Sequence, residues 1–267
     1  MALGSDVRYS ARLKKDWTIN WKLYLIFVPI LAYYIIFNYV PMYGAIIAFK
    51  DYSPQYGIWG SQWVGLKHFI DFFNSPDFLK LLRNTLTISF GSLIFGFPAP
   101  IILALMLNEV KNKVFKRTVQ TVTYMPHFIS LVVVCGMIKS FCTDTGLITT
   151  ILSTLGLVDK VDMLGVKEYF VPIYITSGIW QEIGWGSIIY LAALSGINMD
   201  LYEAASIDGA GKWRQLWHIT LPGIMPTVVV MLILRVGSIM SVGFEKIILL
   251  YNPLTYETAD VISSYVY

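Results

Sequence analysis

EAASIDGAGKWRQLWHITLP, residues 203–222, lies between two long apolar runs of the chain. Apolar residues recur at helical spacing on both sides of its glycines, as Leu201, Ala204 and Ala205 before them and Trp213, Leu216 and Trp217 after them. This pattern predicts a short helix, a turn at 208–211 and a second short helix that ends as Pro222 starts the next membrane segment. Gly209 or Gly211 can adopt positive φ and reverse the chain, and Asp208 can cap the second helix. The stretch is therefore predicted to be a structured loop at a membrane surface.

The composition of the 267 residues is that of an integral membrane protein. Hydrophobic residues make up 56% and charged residues 14%, with a mean hydropathy of +0.61. Soluble domains carry roughly a quarter charged residues. The net charge of +3 gives no case for nucleic-acid binding. We expect a single polytopic domain.

Several kinds of chemistry find no support in the sequence. Cys135 and Cys142 lie seven residues apart on one apolar run, and two helical turns separate them by about 10 Å, too far for a disulfide. His68, His127 and His218 lie on different segments, so no metal site is predicted. The sequence contains no P-loop and no G-x-S-x-G motif. The chain alone is predicted not to be an enzyme, and no catalytic residue is assigned.

Five membrane-spanning helices are predicted from apolar runs of about 20 residues or more. Their approximate ranges are 21–38, 84–107, 118–141, 170–197 and 222–251. The second span is predicted to kink at Gly96, Pro98 and Pro100, the third contains Pro126, and the fifth is predicted to bend near Pro226. Between the first two spans, residues 65–73 form an amphipathic segment and residues 74–77 a turn into a helix. The predicted fold is an all-α polytopic membrane protein.

The distribution of Lys and Arg predicts the orientation of these spans. Residues 1–22, 108–117 and 198–221 hold five, four and two basic residues, whereas the loop after the third span and the tail hold two and none. Residues 1–22 are therefore predicted to be a cytoplasmic segment, followed by a transmembrane domain at 23–267. The same orientation places the loop at 203–222 in the cytoplasm.

The string E-A-A, then G, then I-x-L-P resembles the EAA loop of the permease subunits of ABC importers, the inner membrane components of binding-protein-dependent transport systems. The matching residues are Glu203, Ala204, Ala205, Asp208, Gly209, Ala210, Ile219, Leu221 and Pro222. In that family the loop is the coupling helix that docks on a cytoplasmic ATPase, so we call residues 198–222 the coupling loop. The N-terminal and 60–90 patterns are most similar to the LplB-like permeases for oligo- and polysaccharide fragments.

This resemblance implies a type I ABC importer fold and a set of partners. The partners are a second permease subunit, two cytoplasmic ATPase subunits and an extracellular solute-binding protein, all acting at a bacterial cell membrane. ATP and Mg would bind the partner ATPase, and this chain would hold no cofactor. The family core has a sixth helix, which we expect beyond residue 267. Closure of the ATPases would switch the cleft between inward- and outward-facing states.

Other transport functions remain open on the sequence alone. An ABC permease for another solute, such as a peptide or phosphate, would carry the same loop. A secondary transporter or an intramembrane enzyme would have no use for it. Co-purification with an ATPase separates these alternatives.

Charged residues at membrane depth are the candidates for a substrate pathway, because such residues usually face a cavity or a partner. Glu182 and Arg235 lie deep in the fourth and fifth spans, and Trp180 and Trp185 flank Glu182. We predict that Glu182 and Arg235 line the translocation cleft between the two permeases, with Trp180 or Trp185 nearby, and a structural Glu182–Arg235 ion pair is the alternative. Lys139 is expected to reach back to the outer surface.

Two further charges, Glu245 and Lys246, lie near the outer end of the fifth predicted span. Their position predicts solvated side chains close to the outer surface.

Overall fold

The computed structural model describes the backbone of residues 3–267 and the side chains of residues 15–267. Helices dominate, and one short antiparallel ribbon pairs Lys50–Asp51 with Gln62–Trp63. The chain forms two compact units, Met1–Ser75 and Pro76–Tyr267. The predicted helical fold class is confirmed, and the expected sixth helix lies outside the described residues.

The first unit contains the first apolar span, and it is longer than predicted. A helix at Leu3–Tyr34 continues through a π-helical turn at Ile35–Tyr39, a short turn at Val40–Met42 and a 3-10 helix at Tyr43–Phe49. Pro41 does not break this helix. It lies in the first turn of the segment Val40–Met42, where a backbone N–H has no hydrogen-bond acceptor within that segment. The amphipathic segment forms helix Lys67–Phe73, as predicted. A further short helix, Gly57–Gly60, lies between the two strands.

The second unit begins with a helix, which we call the second span, at Phe78–Glu109. It consists of Phe78–Gly91, a π-helical turn at Ser92–Gly96 and Pro98–Glu109. Pro98 lacks a backbone N–H, so the preceding turn cannot keep the regular hydrogen-bond pattern. The irregular turn lies at the predicted kink, although the helix starts six residues before the predicted Asn84.

The third predicted span is broken, so its prediction as one helix is wrong. Helix Lys113–Tyr124 passes into a 3-10 turn at Met125–Phe128 and then into helix Leu131–Phe141, and the two arms meet at a bend of 102°. Pro126 favours the break, and Ser130 caps the second arm by accepting from the Val133 N–H at 3.4 Å. We call this element the bent pair.

The next element, the long helix at Lys167–Ser195, packs against the second span, the bent pair and the helix that follows the coupling loop. Its position agrees with the predicted fourth span. Within residues 15–267, three helices are long and apolar enough to cross a membrane, or four if the bent pair counts as one. The long helix is not among them, because Gln181, Glu182 and several glycines lower its hydropathy.

The helix after the coupling loop differs from its prediction at both ends. Lys212–Gln215, a π-helical turn at Leu216–Thr220 and Leu221–Gly237 form one continuous helix, which we call the final span. Pro222 sits in the first turn of its own segment, where proline is tolerated, so it does not separate a short helix from the span. The span ends at Gly237 and not near Tyr251.

A C-terminal segment follows, with helices at Phe244–Leu250, Tyr256–Ala259 and Ile262–Val266. Buried Asn84 of the second span donates to the carbonyls of Glu257 and Asp260, both at 2.9 Å. Lys167, at the start of the long helix, pairs with Glu257 at 2.7 Å. These bonds hold the C-terminal segment against the second span and the start of the long helix.

Helix Leu147–Thr154 and a 3-10 turn at Met163–Gly165 fill the connection between the bent pair and the long helix. The main core of the unit lies here, around fully buried Phe170, Val134 and Ile247. A second cluster lies towards the coupling loop, around Ala104 and Ile224.

Candidate coupling loop and translocation cavity

The coupling loop has the predicted first helix and turn, and its second helix starts as predicted but continues into the final span. Helix Asp200–Ile207 ends at Asp208, and Gly209 has φ of +76°. The N–H of Ala210 donates to the carbonyl of Ala205 at 2.8 Å and closes the turn. A residue with a Cβ pays a steric penalty in this backbone region, whereas glycine does not. Gly211 has φ of −69°, so Gly209 alone of the two reverses the chain.

The prediction that Asp208 caps the second helix is wrong, because Asp208 is the C-cap residue of the first helix and Gly211, which has no side chain, is the N-cap residue of the second. The two helices are joined instead by Gln215, whose Nε2 donates to the Ser206 hydroxyl at 2.9 Å and to the Ala210 carbonyl at 3.0 Å. Hydrogen bonds across the turn therefore hold the loop in one conformation.

A second bond links the first helix of the loop to the final span. The hydroxyls of Tyr202 and Thr220 lie 2.9 Å apart. Lys212, the first residue of the final span, pairs with Glu109 at the end of the second span. The loop is consequently tied to two spans.

The nine residues that match the EAA-loop pattern divide by solvent exposure into an outer and an inner group. Those exposed are Glu203, Ala204, Asp208, Gly209 and Pro222, and those half-buried are Ala205, Ala210, Ile219 and Leu221. Large apolar side chains stand beside the outer group, with Ile207 87% exposed and Trp213 75% exposed. Apolar side chains this exposed, next to small residues, suit contact with another protein.

A cavity of about 670 Å³ lies in the second unit, bounded by the second span, the long helix, the final span and the C-terminal segment. Glu182 and Arg235 both line it. Trp180 and Trp185 are 43% and 45% exposed and are absent from the described lining residues. The structure thus brings two of the four predicted pathway residues to one cavity.

Glu182 has a different partner from the predicted one. Its Oε2 lies 3.0 Å from Nδ1 of His127, and the His127 ring stacks on Trp185 at 4.5 Å with 3° between the planes. The predicted Glu182–Arg235 ion pair is therefore absent. His127 reaches Glu182 because it lies in the 3-10 turn of the bent pair. The contact could not be predicted from a third span drawn as one straight helix.

His127 is the functional candidate that the sequence analysis missed. Its signal was its own position, since it is an ionisable residue beside Pro126 in the middle of an apolar run.

Lys246 corrects another prediction, since its side chain is buried and only 7% exposed. Its Nζ donates to the Tyr174 carbonyl at 2.9 Å and lies 4.7 Å from the centre of the Tyr174 ring. Gly178 leaves room for it, because a Cβ there would lie 3.3 Å from Nζ. Lys246 lines the same cavity.

Outside the spans, one exposed ion pair alters the pKa of its members. The hydrogen bond between Lys167 and Glu257, helped by their opposite charges, lowers the pKa of Glu257 and raises that of Lys167. Both groups are therefore charged at neutral pH.

Comparisons with known proteins agree with this geometry. Residues 96–267 match the family described as "Binding-protein-dependent transport system inner membrane component". Protein LplB of Bacillus subtilis (strain 168) is 47% identical over 268 residues, which cover 100% of this chain and 83% of LplB. The polygalacturonan/rhamnogalacturonan transport system permease protein YteP of the same organism is 49% identical over 92% of this chain and 76% of YteP.

Solved structures are similar over almost the whole chain. A chain of a bacterial ABC transporter involved in the import of the acidic polysaccharide alginate has a TM-score of 0.87 and 50% identity, covering 96% of this chain and 86% of its own. The alginate transporter in complex with an alginate pentasaccharide-bound periplasmic protein gives a TM-score of 0.87 and 49% identity over 96% and 85%.

Proposed function

Because the chain belongs to the family of binding-protein-dependent transport system inner membrane components, we propose that it is the permease subunit of an ATP-driven importer for oligosaccharide or polysaccharide fragments. The observation that carries this proposal is the coupling loop, a closed helix–turn–helix unit with exposed apolar side chains, continuous with the final span.

We propose five spans with the N-terminus in the cytoplasm of a bacterial cell. The partners are a second permease, two ATPase subunits that bind ATP and Mg, and an extracellular solute-binding protein. The chain hydrolyses no ATP itself. The relatives named as polysaccharide permeases support the carbohydrate class over a peptide or phosphate.

The continuity of the final span suggests how ATPase closure reaches the substrate. Lys212 in the loop and Arg235 at the cavity lie on one helix, about 35 Å apart along its axis. A push on the loop by the ATPase would therefore move the helix that lines the cavity. Glu182 and Arg235 are the pathway residues in this scheme, with Trp180 and Trp185 nearby on the long helix.

The proposal is tested by two glycine substitutions in the coupling loop. Gly209→Val places a β-branched residue at φ +76°, which costs about 1–2 kcal/mol or more and reopens the turn. Gly211→Val is the matched control, because its φ is −69° and no atom lies within 4 Å of an added Cβ. We expect Gly209→Val alone to lose the ATPase on co-purification or to hydrolyse ATP without uptake.

Wild-type uptake by the Gly209→Val variant would contradict the coupling role. Purification of the wild-type chain without any ATPase subunit would contradict the importer as a whole and favour a secondary transporter.

A further inference from the structure

The cavity contains two cationic side chains and one anionic side chain from different elements. Arg235 comes from the final span, Lys246 from the C-terminal segment and Glu182 from the long helix. Glu182 is held by His127 at 3.0 Å, and neither cation forms an ion pair with any carboxylate among residues 15–267. The lining therefore carries an excess of positive charge.

Ser89 supplies a second observation that points to a ligand. This residue of the second span is 8% exposed and lines the cavity, and its hydroxyl oxygen has no hydrogen-bond partner within the described chain. Buried polar groups are almost always paired, so an unpaired one beside a cavity marks a position for a ligand atom.

The size and position of the cavity fit a saccharide unit. Its volume of about 670 Å³ lies within the range of about 300–1,000 Å³ of small-molecule sites. Lys246 uses one of its three N–H donors on the Tyr174 carbonyl, so two remain for a ligand. Arg235 offers a planar guanidinium, which matches the two oxygens of a carboxylate.

We infer that the cavity selects acidic saccharides by binding the carboxylate of a uronic acid unit between Arg235 and Lys246, with Ser89 as a further hydrogen-bonding group. This inference rests on the proposed importer function and names its substrate class. A neutral sugar would leave both cations without a counter-charge, so this subunit would add selectivity to that of the solute-binding protein.

The test uses the complete complex of both permeases and both ATPases in phosphatidylcholine nanodiscs, without the binding protein. Binding of trigalacturonate and of its methyl ester is measured by isothermal titration calorimetry. The two ligands differ in charge and hardly in size. We expect the wild-type complex to bind trigalacturonate at least about tenfold more tightly, the ratio typical of one charge-assisted hydrogen bond.

Arg235→Gln is expected to remove most of this preference, and Arg235→Lys to restore part of it. Ser89→Ala should weaken trigalacturonate binding by about three- to tenfold without loss of thermal stability, since no intramolecular bond is broken. Lys139→Gln is the matched control, because it removes an exposed positive charge outside the cavity lining and should change nothing.

Three results would overturn the inference. They are no binding or no preference in the wild-type complex, a preference that Arg235→Gln leaves intact, and equally strong competition by inorganic phosphate, which would assign the site to a phosphate. If the complex still assembles and hydrolyses ATP in response to the binding protein, the importer function survives and only the selectivity fails.

Discussion

His127 and Glu182 lie 55 positions apart in the chain and are in contact, and Glu182 also lines the cavity. Their side chains are 29% and 56% exposed, so the pair contributes only about 0–1 kcal/mol to stability. The stacking of His127 on Trp185 fixes the imidazole independently of the carboxylate. Glu182 therefore matters more for the charge it places in the cavity than for folding.

Glu182→Gln tests this role. The amide oxygen can still accept from His127, so we expect the complex to assemble in normal yield and to lose no more than about 1 kcal/mol. Uptake should fall because the carboxylate charge is lost. Glu168→Gln serves as control, since Glu168 is an exposed carboxylate in the first turn of the same helix. Normal uptake by Glu182→Gln would remove the residue from the pathway, and a collapsed yield would make it a structural clamp.

At the scale of elements, the long helix organises the second unit through close contacts at its glycines. A Cβ at Gly184 would lie 2.1 Å from the Thr123 carbonyl oxygen, in the first arm of the bent pair. A Cβ at Gly186 would lie 3.0 Å from the Pro100 ring of the second span. Small residues allow membrane helices to approach this closely. The glycines that lower the apolarity of the helix are thus the ones that hold it among its neighbours.

Gly184→Ala should separate the long helix from the bent pair. The methyl group meets backbone atoms that cannot rotate away, and overpacking of this kind costs about 1–3 kcal/mol. We expect a lower thermal midpoint of the purified complex.

Gly136→Ala is the matched substitution within the bent pair. No atom lies within 4 Å of the added Cβ, so the greater helix propensity of alanine should raise stability by up to about 1 kcal/mol. Equal midpoints for the two variants would show that the Gly184 contact does not limit packing.

At the scale of the whole molecule, the proposed orientation decides which loops face the cytoplasm. Our orientation places residues 108–117 inside and the loop after the bent pair outside. Cysteines added in the loops can test this orientation by labelling. The two native cysteines, Cys135 and Cys142, are each 1% exposed and do not compete for the label. Burial also raises the pKa of the Cys142 thiol to about 11, which keeps it protonated and unreactive at neutral pH.

Lys111→Cys and Lys160→Cys therefore report on the two surfaces. Both lysines are exposed in loops. A membrane-impermeant maleimide should label Lys160→Cys in intact cells, and Lys111→Cys only after the membrane is opened. The opposite pattern would invert the orientation and place the coupling loop away from any cytoplasmic ATPase.

The sequence by itself determined the features that depend on neighbours in the chain. Helical spacing around Gly209 predicted two helices joined by a turn, and runs of apolar residues predicted the positions of the second span and the long helix. These signals are local, because a helix and its turn are set by residues within a few positions of each other.

Only the tertiary structure decided which side chains meet. The break in the third span turned His127 towards Glu182, the end of the final span at Gly237 separated the helix that carries Lys246, and packing buried Lys246 against Tyr174. Each depends on the faces that distant helices present to one another. Contacts between residues 55 or 72 positions apart leave no periodicity in a single sequence.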